Sequence, residues 1–155
     1  MIPMVPAHRT RWLLNWLNLS TGAGLLLAKA KRCDLRPGPE GLLLAFGYTG
    51  TLPVASAFTV GNVILFRGSA ANGAPRPALL AHEARHSTQY ALCLGLPFLP
   101  LYFAAAAFSL LRTGDPASVN PFERGAGLAD GGYVQRPVRP LSTTLSAVFG
   151  KKGSP

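Results

Sequence analysis

Acidic residues are scarce in this sequence. Six Asp and Glu stand against fifteen Lys and Arg, a formal charge of +9 at pH 7 over 155 residues. Cysteine and histidine are scarcer still, at two and three. Cys33 and Cys93 lie far apart and form no CxxC pair, which excludes a disulfide framework or a cysteine-rich zinc site. They read as small apolar side chains in a reducing compartment, with one disulfide as the alternative. Charge of either sign is low, at 14% of residues, while 48% are hydrophobic and the mean hydropathy is +0.25. A disordered basic tail would be far less hydrophobic and is excluded. The cations are dispersed rather than interleaved with aromatics on one face, which argues against nucleic acid as a partner. The N-terminal apolar stretch carries Asn15 and Asn18 and ends in Lys29, Ala30, Lys31 and Arg32. A secretory signal would end in a small-residue cleavage site there, so none is read.

What remains is a chain both basic and apolar, sized for one compact domain, a combination that suits an anionic membrane surface. Trp12 to Ala28 runs without a charge, a little short for a clean span. Arg11, Asn15, Asn18 and Gly22 recur at helical spacing as a narrow polar stripe, with Trp12 and Trp16 beside it. This predicts a helix lying in the membrane surface, or an amphipathic helix covering the protein's own core. The cluster Lys29, Lys31, Arg32 and Arg36 would face anionic headgroups, and hence the cytoplasm, or else form a solvated positive patch. Ala91 to Leu111 is a second uncharged run, long enough to span. Pro97 and Pro100 make a re-entrant, surface-embedded or buried hairpin equally consistent with it.

Between these runs the character changes. Gly41 to Tyr48 and Phe58 to Phe66 are short apolar segments rich in β-formers, predicting two or three strands of a small sheet. After a loop from Arg67 to Arg76, Pro77 suits the first position of a helix reaching about Gly95. Asn120-Pro121-Phe122-Glu123 reads as the cap and first turn of another helix.

The informative residues are His82-Glu83-Ala84-Arg85-His86, an H-E-x-x-H sequence on the predicted helix. Histidines four apart project from one helical face and can direct two imidazoles at one Zn²⁺. Glu83, beside the first of them, can take a proton from a water held there. Two of the three histidines and one of the three glutamates sit in these five residues, so they are hard to read as filler on an ordinary helix. A third ligand is needed. Glu123, on a later helix, is the best candidate; His8, Asp115 and Asp130 are alternatives, and Asp130 could instead orient a histidine. Glu123 could also simply favour its own helix dipole. Arg85 would point away from the metal, about 200° of helical rotation from Glu83. Tyr90, Tyr102 or Tyr133 could donate to an oxyanion, and the sequence does not choose among them.

The stretch Ala57 to Gln89 resembles the minimal zincin-like, gluzincin-type domains of bacterial proteins. Its Thr59-x-Gly61-x-x-Ile64 strand precedes the His82-Glu83-x-x-His86 helix, with Gln89 three residues further on. The later Asn120-x-Phe122-Glu123-x-x-Ala126 is similar to the segment that carries the glutamate ligand in some of them. The resemblance covers roughly residues 41–130. It implies an α+β fold in which a short sheet packs on the H-E-x-x-H helix and a following glutamate-bearing helix, flanked by apolar membrane-associating helices. It further implies Zn²⁺ held by His82, His86 and Glu123, with Glu83 as general base. The edge of the sheet would pair with an extended peptide. The expected organisation is an N-terminal interfacial helix and basic cluster (1–36), a zincin-like domain (37–133) and an extended basic tail (134–155). The expected function is a membrane-associated zinc metallopeptidase at the cytoplasmic face of a bacterial inner membrane, acting on a peptide or protein. The alternative is a non-catalytic zincin-like subunit of a larger membrane protein complex with a structural or vestigial metal.

Overall fold

The computed structural model describes residues 5–140 and 142, and the chain divides into two compact units, 1–98 and 99–155. In the first, α1 (Pro6–Leu17) and α2 (Ser20–Ala30) precede a sheet of β1 (Asp34–Pro37), β2 (Leu43–Phe46), β3 (Ala57–Val60) and β4 (Val63–Phe66), followed by α3 (Pro77–Leu92). The strand order is β1-β2-β4-β3, with β2 parallel to β4 and the other pairs antiparallel. The expected α+β class with a small sheet is therefore found.

β4 is buried at all four positions because helices cover it on both sides. Val63 meets Gly24 of α2, while Ile64 and Phe66, on alternate positions, join Leu42, Leu44, Phe46, Ala57 and Leu79 in the core beneath α3. Phe46 and Phe66 stack there at 5.1 Å. The apolar stretch Phe58 to Phe66 is not one strand but a hairpin. Gly61, at φ +63°, takes the conformation that the first position of a type II′ turn requires, and Asn62 completes the turn. A Cβ at Gly61 would also lie 2.4 Å from the Thr21 amide, so no larger residue fits under α2.

The polar stripe of α1 points inward. Arg11 and Asn15 are buried, whereas Trp12, Leu13, Trp16 and Leu17 are exposed. The Asn15 amide donates to Asn62 Oδ1 (3.0 Å) and to the Ser87 carbonyl (2.9 Å), and Ser87 Oγ donates to Asn62 Oδ1 (3.2 Å). Asn62 Nδ2 in turn donates to the Trp12 carbonyl (3.0 Å), and its backbone N–H to Thr21 Oγ1 (3.2 Å). One turn residue thus ties α1, α2 and the hairpin to α3. Asn62→Ala keeps the backbone bond to Thr21 but removes the side-chain partner of buried groups on α1 and α3, and is expected to cost about 2–4 kcal/mol, more than one hydrogen bond is worth. Urea unfolding would show it as a lower midpoint with an unchanged slope. Arg11 donates to the Glu40 carbonyl (2.5 Å), and burial lowers its pKa against the opposing pull of the Glu40 carboxylate.

The uncharged runs are broken by backbone geometry. Leu19, at φ +65°, separates α1 from α2. Leu94 and Gly95, both at positive φ, end α3 well inside the run Ala91 to Leu111. Among the described residues, no helix is long and apolar enough to cross a membrane, so the spanning reading is set aside.

The second unit contains most of α4 (Phe98–Thr113) and α5 (Pro121–Ala126). Asn120 caps α5 by accepting from the Phe122 N–H at 3.0 Å, with Pro121 at the first helical position, as the sequence predicts. Residues 134–140 form neither helix nor strand, and the rest of the predicted tail, apart from residue 142, lies outside the described residues.

Candidate metal centre

α3 starts on Pro77, and its 3.6-residue period puts His82, Glu83, His86, Ser87 and Tyr90 on the buried face. Arg85 is exposed, on the side away from that face. The two imidazoles meet edge to face, with Nε2 atoms 3.1 Å apart. Two nitrogens bound at about 2.0–2.1 Å to one tetrahedral ion sit roughly 3.3 Å apart, so this spacing suits shared coordination. His86 Nδ1 lies 2.8 Å from Gln89 Oε1, where it donates and leaves Nε2 with its lone pair free to ligate. Losing an outer partner of this kind costs about 10–100-fold in metal affinity, and Gln89→Ala is expected to fall in that range when titrated against a zinc chelator.

β3 supplies the contact to the general-base candidate. Thr59, 7% exposed, donates from Oγ1 to Glu83 Oε2 at 2.7 Å, which holds one carboxylate oxygen in place. In the sequence Thr59 belongs to the strand pattern Thr59-x-Gly61-x-x-Ile64 and carries no assigned role. The signal was there: an isolated Thr in an apolar strand must find a partner when buried. Tyr90 is fully buried against Phe98, and burial, followed by the Glu83 charge, raises its phenol above the ordinary range.

In the second unit, Glu123 lies in the first turn of α5, 2% exposed. Tyr102 on α4 donates its hydroxyl to Glu123 Oε1. Of the three tyrosines named from sequence, this one is thereby engaged with a ligand candidate, a role that the sequence did not indicate.

His82, His86 and Glu123 are all buried, each offers a ligand atom within 4.8 Å of the others, and they could bind a metal ion. Two imidazoles and a carboxylate are a donor set that zinc accepts. The alternatives have other partners. His8 sits on α1 with Nε2 3.3 Å from Glu40 Oε2. The Asp115 carboxylate accepts from the Ala117 and Ser118 amides and the Ser118 hydroxyl, building its own loop. Asp130 is not in the His82, His86 and Glu123 group.

Residues 52–92, which comprise the β3–β4 hairpin and the whole of α3, are similar to the eCIS core domain. No curated protein and no solved structure matches the chain.

Proposed function

We propose that the chain is a zincin-like, zinc-dependent peptidase in which His82, His86 and Glu123 hold the metal and Glu83 is the general base. The observation that carries this reading is the joint burial and proximity of two imidazoles and a carboxylate, with a second buried carboxylate one residue from the first ligand. Zinc, when bound, supplies a Lewis acid that polarises a carbonyl and acidifies a nearby water. Every other part belongs to the chain. Glu83 takes the proton of the attacking water and returns it to the departing amine. Thr59 fixes the orientation of that carboxylate, and Gln89 fixes the His86 tautomer. An extended peptide would lie along β3, an edge strand by sheet order, and pair with its backbone.

A second reading is favoured by the family match. Similarity to the eCIS core domain suggests a component of a phage-like secretion system, in which a non-catalytic zincin-like subunit would keep its metal for structure alone. Peptide cleavage by the full chain, compared between parent and Glu83→Gln at equal zinc content, separates the two. Cleavage by the parent that disappears in the variant supports the peptidase, and zinc without cleavage in either supports the structural role.

A further inference from the structure

The inward turn of the α1 stripe leaves an apolar exterior that the fold itself does not use. Leu13 is 50% exposed, Leu17 69% and Leu19 71%, and Trp12 and Trp16, in edge-to-face contact at 6.2 Å, complete the outer face of α1. α2 adds Leu26, 71% exposed. An ordinary surface helix in water has the opposite arrangement. Here Asn15 is held inside by Asn62 and Ser87, and Arg11 by Glu40, so α1 cannot roll over without breaking those bonds.

The charge carried by α1, α2 and the turn after them has one sign; the nearest acids, Glu40 and Asp34, are each paired with a cation, Glu40 with Arg11 and His8 and Asp34 with Arg36. From residue 1 to residue 33 the chain carries Arg9, Arg11, Lys29, Lys31 and Arg32 and not a single Asp or Glu. Of these five, all but Arg11 are exposed. Arg9 lies one turn before Leu13 on the same side of α1, and Lys29, Lys31 and Arg32 gather at the C-terminal end of α2. A second copy docked about a two-fold axis would set this predominantly cationic rim against itself, which disfavours self-pairing. Exposed leucines, a tryptophan pair and the exposed cations Arg9, Lys29, Lys31 and Arg32 are complementary to a surface that is apolar beneath and anionic above.

We infer that the outer face of α1, with Leu26 of α2 and the Lys29–Arg32 cluster, docks in the plane of an anionic phospholipid surface. Trp12 and Trp16 seat at the headgroup boundary, and Leu13 and Leu17 enter the acyl region. The helices lie along the surface; neither crosses it. The inference stands independently of the metal site, since none of these residues contributes to it.

Trp12 and Trp16 are the two tryptophans of the chain, so native fluorescence reports this face directly. Titration of the full chain with phosphatidylglycerol-containing vesicles is expected to shift its emission to the blue, with phosphatidylcholine vesicles far less effective. Glutamine at Lys29, Lys31 and Arg32 should weaken binding on the order of fivefold per charge removed. Leu17→Ser, at an exposed position, should weaken it while leaving zinc content and any cleavage unchanged. No shift with anionic vesicles overturns the inference, as does binding indifferent to these substitutions. Self-association in lipid-free solution that Leu17→Ser abolishes also overturns it, by assigning the face to a second copy.

Discussion

Glu83→Gln is expected to abolish peptide cleavage while leaving the zinc content of the chain at the parent level. The substitution is isosteric, and the new side-chain carbonyl still accepts from Thr59 Oγ1, so the buried packing around position 83, 3% exposed in the parent, is preserved. What is lost is the capacity to take and return a proton. A positioned general acid–base contributes about 10²–10⁴-fold to turnover, and the loss should fall there. Zinc stays because Glu83 is not one of the three residues whose ligand atoms gather. kcat/KM on a peptide substrate, with metal content measured on the same sample, checks both halves. A variant as active as the parent contradicts the assignment of the base.

The second large effect is expected at His86. Its Nε2 lies 3.1 Å from that of His82, and its Nδ1 is anchored on Gln89. His86→Ala removes one of the three proposed ligands together with the point of that anchor. The fall in zinc affinity should exceed the roughly 10–100-fold that losing an outer partner costs. Affinities should therefore rank parent, Gln89→Ala, His86→Ala, in descending order by competition with a chelator. Metal that binds only the native state also stabilises it, so added zinc should raise the Tm of the parent and not of His86→Ala.

The parts legible in the sequence are those whose chemistry is local. Pro77 and Asn120-Pro121 mark helix starts because a missing N–H and a capping amide act within one turn. Histidines at i and i+4 share a face by helix geometry alone, and the structure places both on the buried face of α3. Long-range facts were not legible. β1 escaped because all four of its residues are exposed, one is Pro37, and its pairing with β2 leaves no alternation to read. The hairpin in Phe58 to Phe66 was hidden because strands covered on both faces are apolar throughout, with only Gly61-Asn62 to mark the turn. The stripe of Arg11 and Asn15 was visible as a stripe, but period shows which residues share a face and not which way that face turns. Asn62, far along the chain, decides that. Tyr102 and Thr59 became partners of Glu123 and Glu83 through tertiary placement, which spacing does not encode.

The central claim is that His82, His86 and Glu123 hold one metal ion. X-ray absorption at the zinc edge, made on the full chain with its metal content determined, tests it most directly. The account predicts about one zinc per chain, with two imidazole nitrogens and a carboxylate oxygen at about 2.0–2.2 Å, and loss of the imidazole signal in His82→Ala/His86→Ala. A parent chain that binds no zinc, or zinc held equally well by the double variant, would contradict it.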